Sequence, residues 1–186
     1  MCSVLLRQSI RLFFCLLLAA AAVSVRAQVA PAATSRTLSI NAGGLGSVFQ
    51  PDYAGNGIAQ TSPNRLYGFG AYADVHFSRW VQLEAEGRWL HYNQYLGINE
   101  NNYLIGPRIP IHDFRGWTPY GKVLFGFGSG SFVNGRAGDI AFGGGVDYRL
   151  TRKLTLRVLD LEYQRWSVTP TLWPYGGSAG ISYRVY

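Results

Sequence analysis

Glu84 and Glu86 alternate with uncharged residues in the stretch WVQLEAEGRW, and Arg88 follows two positions further on. Paired carboxylates beside a base are the equipment of general acid–base chemistry. In an extended chain, however, residues two apart share one face. Charged groups taken out of water on such a face must be paired to be tolerated. The favoured reading is therefore a structural ion-pair network of these groups with Arg108, Lys122, Arg149 and Arg157. His76, His91 and His112 are the other candidates for a catalytic base or metal ligands, but they lie on three separate runs, on mixed faces or near run ends. The glycine-rich GFGSGS (126–131) and GGG (143–145) precede no helix and lack the lysine of a phosphate-binding loop. Strand curvature and room for neighbouring side chains explain them better. No catalytic residue, cofactor or metal ligand set is expected.

The elements that carry these residues are runs of period-two alternation. The stretch IAFGGGVDYRLTRKLTLRVLDLEYQRW (140–166) sets the pattern. Ile140, Phe142, Gly144, Val146 and Tyr148 fall on one side, and Ala141, Gly143, Gly145, Asp147 and Arg149 on the other. Leu150 to Lys153 turn the chain, and Leu154, Leu156 and Val158 begin an antiparallel return. In that return Arg157 is out of phase with Asp160, Glu162 and Gln164. One inserted residue near Val158 to Leu159, a β-bulge, would bring all four to one face.

Further strands are predicted over about Arg36 to Phe49, Arg65 to Phe77, Trp80 to Tyr92, Tyr103 to His112, Trp117 to Gly128 and Gly177 to Tyr186. In the fourth, Pro107 and Pro110 each delete a ladder donor, so a bulge or a locally open ladder is expected there. The count is eight, and the connections alternate long and short. The long ones are Gln50 to Asn64, Asn93 to Asn102, Ser129 to Gly138 and Ser167 to Tyr175. An even count with both termini at one end and the long connections at the other is the layout of an all-β, eight-stranded antiparallel up-and-down barrel.

The first residues read as an export signal. Arg7 and Arg11 precede an apolar run, Leu12 to Val25, and Val25-Arg26-Ala27 offers a small-x-small cleavage site. The run is shorter than the ~20 residues of a spanning helix, which argues against the alternative of an N-terminal anchor. Residues 1–27 are assigned to this signal, 28–35 to a short lead-in and 36–186 to the barrel. Cleavage would remove both cysteines, Cys2 and Cys15, and would lower the formal charge from +7 to +4 by loss of Arg7, Arg11 and Arg26. No disulfide framework is then available. The remaining basic residues are interleaved with acidic ones, which gives no support to a nucleic-acid partner.

Alternation alone leaves two orientations, because a soluble lipocalin-like barrel has the same period with its apolar face inside around a ligand. Three observations favour the membrane. Asp74, Glu84, Glu86, Arg88, Arg108, Lys122, Asp147, Arg149 and Arg157 share a face with Gly68, Gly70, Gly126, Gly128, Gly143 and Gly145, as a narrow, filled, polar interior requires. The opposite face is nearly free of charge, and one Lys or Arg at the bilayer midplane would cost roughly 2 to 4 kcal/mol. Trp80, Trp89, Tyr92, Tyr103, Trp117, Trp166 and Trp173 lie near run ends, where aromatic girdles sit.

The strings AFGGGVDYRLTRKLTLRVLDLEYQRW, WVQLEAEGRW, PYGKVLFGFG and the terminal GISYRVY resemble the bacterial outer-membrane β-barrel domain family, of the OmpA/OmpX-like eight-stranded type. The resemblance covers the whole chain after the signal, and that family is functionally diverse. It implies an outer-membrane location, with insertion guided by a C-terminal aromatic strand signal. Here Tyr186 is the terminal aromatic while Ile181, Tyr183 and Val185 carry the outward phase, a shift of one residue. No peptidoglycan-binding domain is expected after the barrel. The expected partners are outer-membrane lipid and an unidentified surface partner met by the long loops, with the chain a monomer. A small channel, a soluble ligand-binding barrel and a lipid-modifying enzyme that uses His91 are the alternatives.

Overall fold

The computed structural model describes residues 38–52, 65–93, 97–131, 133 and 135–186. Eight strands make a closed antiparallel meander: β1 Ser39–Gln50, β2 Leu66–His76, β3 Gln82–Tyr92, β4 Glu100–Pro110, β5 Trp117–Gly130, β6 Ala137–Arg149, β7 Leu154–Ser167 and β8 Tyr175–Arg184. Each strand pairs with its neighbours in sequence, and β1 closes the cylinder against β8 with Asn41 opposite Arg184 and Gln50 opposite Tyr175. Closure leaves no free edge, so every strand finds both its hydrogen-bonding neighbours within the chain. Beyond β8 the backbone N–H groups of Val185 and Tyr186 still donate to Ile40 O.

Three tight connections lie at the end that holds both termini of the barrel, and each is fixed by its own side chains. Ser78 Oγ accepts from Trp80 N–H, and Asp113 Oδ1 accepts from Gly116 N–H. Thr151 Oγ1 accepts from the N–H groups of Lys153 and Leu154. Gly116 has φ +87°, a conformation that costs glycine little and other residues more. The longer connections gather at the opposite end. The predicted loop Gln50 to Asn64 falls largely outside the described residues.

Two irregularities set the phase of the side chains. In β7, Asp147 pairs with Arg157 and Val146 with Leu159, so Val158 is the extra residue of a bulge at the expected place. Arg157, Asp160, Glu162 and Gln164 consequently all face inward. A second bulge, which the sequence did not suggest, makes His91 the extra residue between Gly68↔Leu90 and Tyr67↔Tyr92. At Pro107 the strand holds its register on both sides, but the ladder to β5 is open between Ile105↔Phe125 and Arg108↔Lys122. The open ladder, not a bulge, accommodates the proline.

The outward face is apolar, with Phe69, Ile105, Ile109, Phe125, Phe142 and Leu161 all about half exposed. At the long-connection end Phe69, Trp89, Tyr103 and Phe127 form a continuous row across four strands, each ring within 5.3–6.2 Å of the next. Trp89 Nε1–H donates to Tyr103 Oη at 3.0 Å. At the short-turn end Trp117 packs on Tyr148 at 4.7 Å, and Trp80 and Phe114 are exposed. Two aromatic belts thus bracket an uncharged band, the arrangement that suits a barrel to a bilayer.

Candidate functional site

Eight of the ten acidic residues, Asp74, Glu84, Glu86, Glu100, Asp139, Asp147, Asp160 and Glu162, are buried within the barrel together with Arg88, Arg108, Lys122 and Arg157. The pleat sends alternate residues of β2 to β7 inward, and the bulge at Val158 brings Arg157 into phase. Lys122 Nζ, from β5, reaches across to Glu84 Oε1 at 2.8 Å, Asp160 Oδ2 at 2.6 Å, Glu162 Oε1 at 2.6 Å and Glu86 Oε2 at 3.1 Å. Arg157 donates to Glu84 Oε2 at 2.9 Å and Asp74 Oδ2 at 3.2 Å, with its guanidinium 3.9 Å from the Tyr72 ring centre. Arg108 donates to Asp74 Oδ2 at 3.0 Å and also pairs with Asp147, while it lies 3.7 Å from the centre of the Tyr120 ring. Arg88 grips both oxygens of Glu162 at 3.0 Å and pairs with Glu86.

Inner-face glycines make room for these long side chains. A Cβ on Gly145 would sit 2.7 Å from Tyr120 Oη, and one on Gly143 would sit 3.0 Å from Glu162 Cγ. A Cβ on Gly128 would collide with the Trp166 indole.

The acid–base reading of Glu84 and Glu86 has no geometric support. All four of their oxygens accept from Lys122, Arg157 or Arg88, and both side chains are buried. Glu84, Glu86 and Asp160 come within metal-ligating distance of one another, but the Lys122 ammonium occupies the place an ion would take. The histidines do not converge. His76 and His112 line a cavity of about 380 Å³ at the short-turn end, where His76 Nε2 lies 3.2 Å from Asn41 Nδ2. His91 is exposed at the other end, its Nε2 2.6 Å from Asn101 Oδ1.

Three expectations are corrected. Arg149 is not part of the internal network: it is exposed at the short-turn rim and pairs there with Asp113. Trp166 is not a girdle residue: it is buried, packs with Ala137 and Leu172, and donates from Nε1 to Gln164 Oε1 at 3.1 Å. This cluster, with a second one of Phe49, Leu66, Leu90 and Ile98, closes the interior toward the long-connection end. Glu100 and Asn102, expected within the connection Asn93 to Asn102, belong to β4 and point inward. The signal for them is the inward phase of Leu104 and Arg108, which runs back without a break through Asn102 to Glu100.

The family model described as "Outer membrane protein beta-barrel domain" matches residues 14–184. Among solved structures, Neisserial surface protein A (NspA) superposes with a TM-score of 0.54 at 13% identity, covering 78% of this chain and 96% of that one. OprG from Pseudomonas aeruginosa gives 0.50 at 11%, covering 80% and 96%. Ail, the attachment invasion locus protein of Yersinia pestis, gives 0.50 at 16%, covering 79% and 97%. At these identities the likeness is one of fold. No curated protein matches the chain.

Proposed function

The chain belongs to the outer-membrane β-barrel domain family, and from that premise we propose that it is an exported, monomeric, non-enzymatic barrel that acts through its long connections at the cell surface. On this reading residues 1–27 are an export signal removed before Gln28, and 28–35 lead into the barrel. The long connections then face outward and the tight turns face the periplasm, the usual polarity of such barrels. The observation that carries the proposal is the filled interior. Lys122 and three arginines span it, bonded to carboxylates from the facing strands, and the Phe49 and Trp166 clusters lie above them. Eight strands leave an interior that side chains fill, so neither conduction nor internal catalysis is supported, and the surface free to meet a partner is the set of loops.

The test is a barrel with residues 51–64 and 93–99 replaced by tight turns, expressed beside the intact protein. The minimised barrel should insert and show the same heat-modifiable electrophoretic mobility, while cells that carry it lose whatever surface binding the intact protein confers on a panel of glycans and extracellular proteins. Equal binding by both forms, or steady single-channel conductance of the intact barrel in planar bilayers, would overturn the reading.

A further inference from the structure

The buried charges do not balance. Eight carboxyl groups face four basic side chains among the described residues of the interior, and half of that surplus of four falls on two groups that form no ion pair with a basic side chain there. Lys122, Arg88, Arg108 and Arg157 serve Asp74, Glu84, Glu86, Asp147, Asp160 and Glu162. Glu100 and Asp139, in the long-connection half, lie outside that network.

Glu100 is 1% exposed, and its Oε2 is buried without a hydrogen-bond partner. Asp139 is equally buried. Its Oδ2 accepts from Asn102 Nδ2 at 2.9 Å, and its Oδ1 has no partner. Asn102 supplies the second observation. Its Nδ2 also donates to Gln164 Oε1 at 2.9 Å, which fixes the amide orientation and leaves Oδ1 as a third buried oxygen with nothing to accept from. Glu100 interacts electrostatically with Asp139 and with Arg88, but the guanidinium terminus of Arg88 is already committed to Glu86 and Glu162. All three orphaned atoms are oxygen acceptors, two of them on carboxyl groups. What they lack is a donor or a cation, and an all-oxygen set of carboxylates and an amide carbonyl is the chemistry that hard cations select.

We propose that Glu100, Asp139 and Asn102 Oδ1 bind a hard divalent cation, calcium by preference, inside the outer half of the barrel. Calcium tolerates the irregular coordination that three side chains from β4 and β6, completed by water, would give, whereas magnesium demands near-ideal octahedral geometry. The ion does for this end of the interior what Lys122 does for the middle.

Trp166 provides a reporter, because its Nε1–H and Asn102 Nδ2 both donate to Gln164 Oε1. The experiment uses the folded barrel in detergent, stripped with chelator and titrated with terbium chloride while tryptophan is excited. Saturable sensitised emission at one ion per chain is expected, displaced by calcium chloride more readily than by magnesium chloride, and lost in Glu100→Gln and in Asp139→Asn. Asp113→Asn, at the exposed rim, should leave it unchanged and controls for loose surface binding. Calcium should also raise the thermal midpoint of the intact protein and not that of either interior variant, a readout independent of luminescence. Absence of saturable emission together with a calcium-independent midpoint would overturn the proposal and leave bound water as the occupant. Emission that persists in both interior variants would overturn it equally.

Discussion

Lys122 Nζ lies 2.8 Å from Glu84 Oε1, and neither side chain has any exposure to solvent. One comes from β5 and the other from β3, so the bond crosses the interior instead of running along a ladder. Three more carboxylates stand around the same ammonium. Two charges in such a place cost several kcal/mol each in lost hydration, and the pairing offsets that cost.

Removing the cation alone should therefore be severe. Lys122→Met leaves carboxylates crowded together without their counter-charge, and a loss of about 3–5 kcal/mol is expected from breaking one side of a buried pair. Urea unfolding in lipid vesicles measures it. The double variant Lys122→Met/Glu84→Gln should recover part of the loss, whereas an unchanged midpoint for the single variant would contradict the network.

The contrast is the rim pair of Arg149 and Asp113, both well exposed. Exposed pairs contribute about 0–1 kcal/mol, so Arg149→Ala should stay within that range in the same assay. Its loss should also be more sensitive to added salt than that of Lys122→Met, because exposed charges are screened and buried ones are not.

The difference between these two lysine and arginine sites marks the limit of what the sequence makes legible. Period-two phase gives the face of a residue but not its height along the barrel, so Arg149 and Asp147 read alike although one is at the rim and the other inside. Trp166 fails for a related reason: its position near a strand end suggests a girdle, whereas its shared inward phase with Gln164 and Glu162 is the better guide. The bulge at Val158 is legible because three charged residues and Gln164 have to share one face. The bulge at His91 is not, since a rim histidine is tolerated in either phase.

Lipid contact is tested by Phe142→Arg, near the middle of β6 on the uncharged face. An arginine at the bilayer midplane of a barrel costs ~2–4 kcal/mol, so the variant should show that loss in vesicles. A cost near zero would place Phe142 outside the hydrocarbon.

Gly128 tests the packing of the interior. A larger residue there drives into the Trp166 ring, and Gly128→Val should cost about 1–3 kcal/mol by overpacking. Trp166→Leu in the same chain should relieve part of it. If the double variant is no better than the sum of the singles, the two residues do not share that space.

The measurement that bears most directly on the orientation of the two faces is nitroxide accessibility at single cysteines placed at Ile105, Phe125, Phe142 and Leu161, introduced into residues 28–186, which contain no cysteine, and reconstituted in vesicles. Labels at all four positions should collide with oxygen dissolved in the bilayer and be shielded from a water-soluble nickel chelate. Labels that meet the chelate freely, in a protein that remains an aqueous monomer, would turn the barrel inside out and contradict the assignment of its two faces.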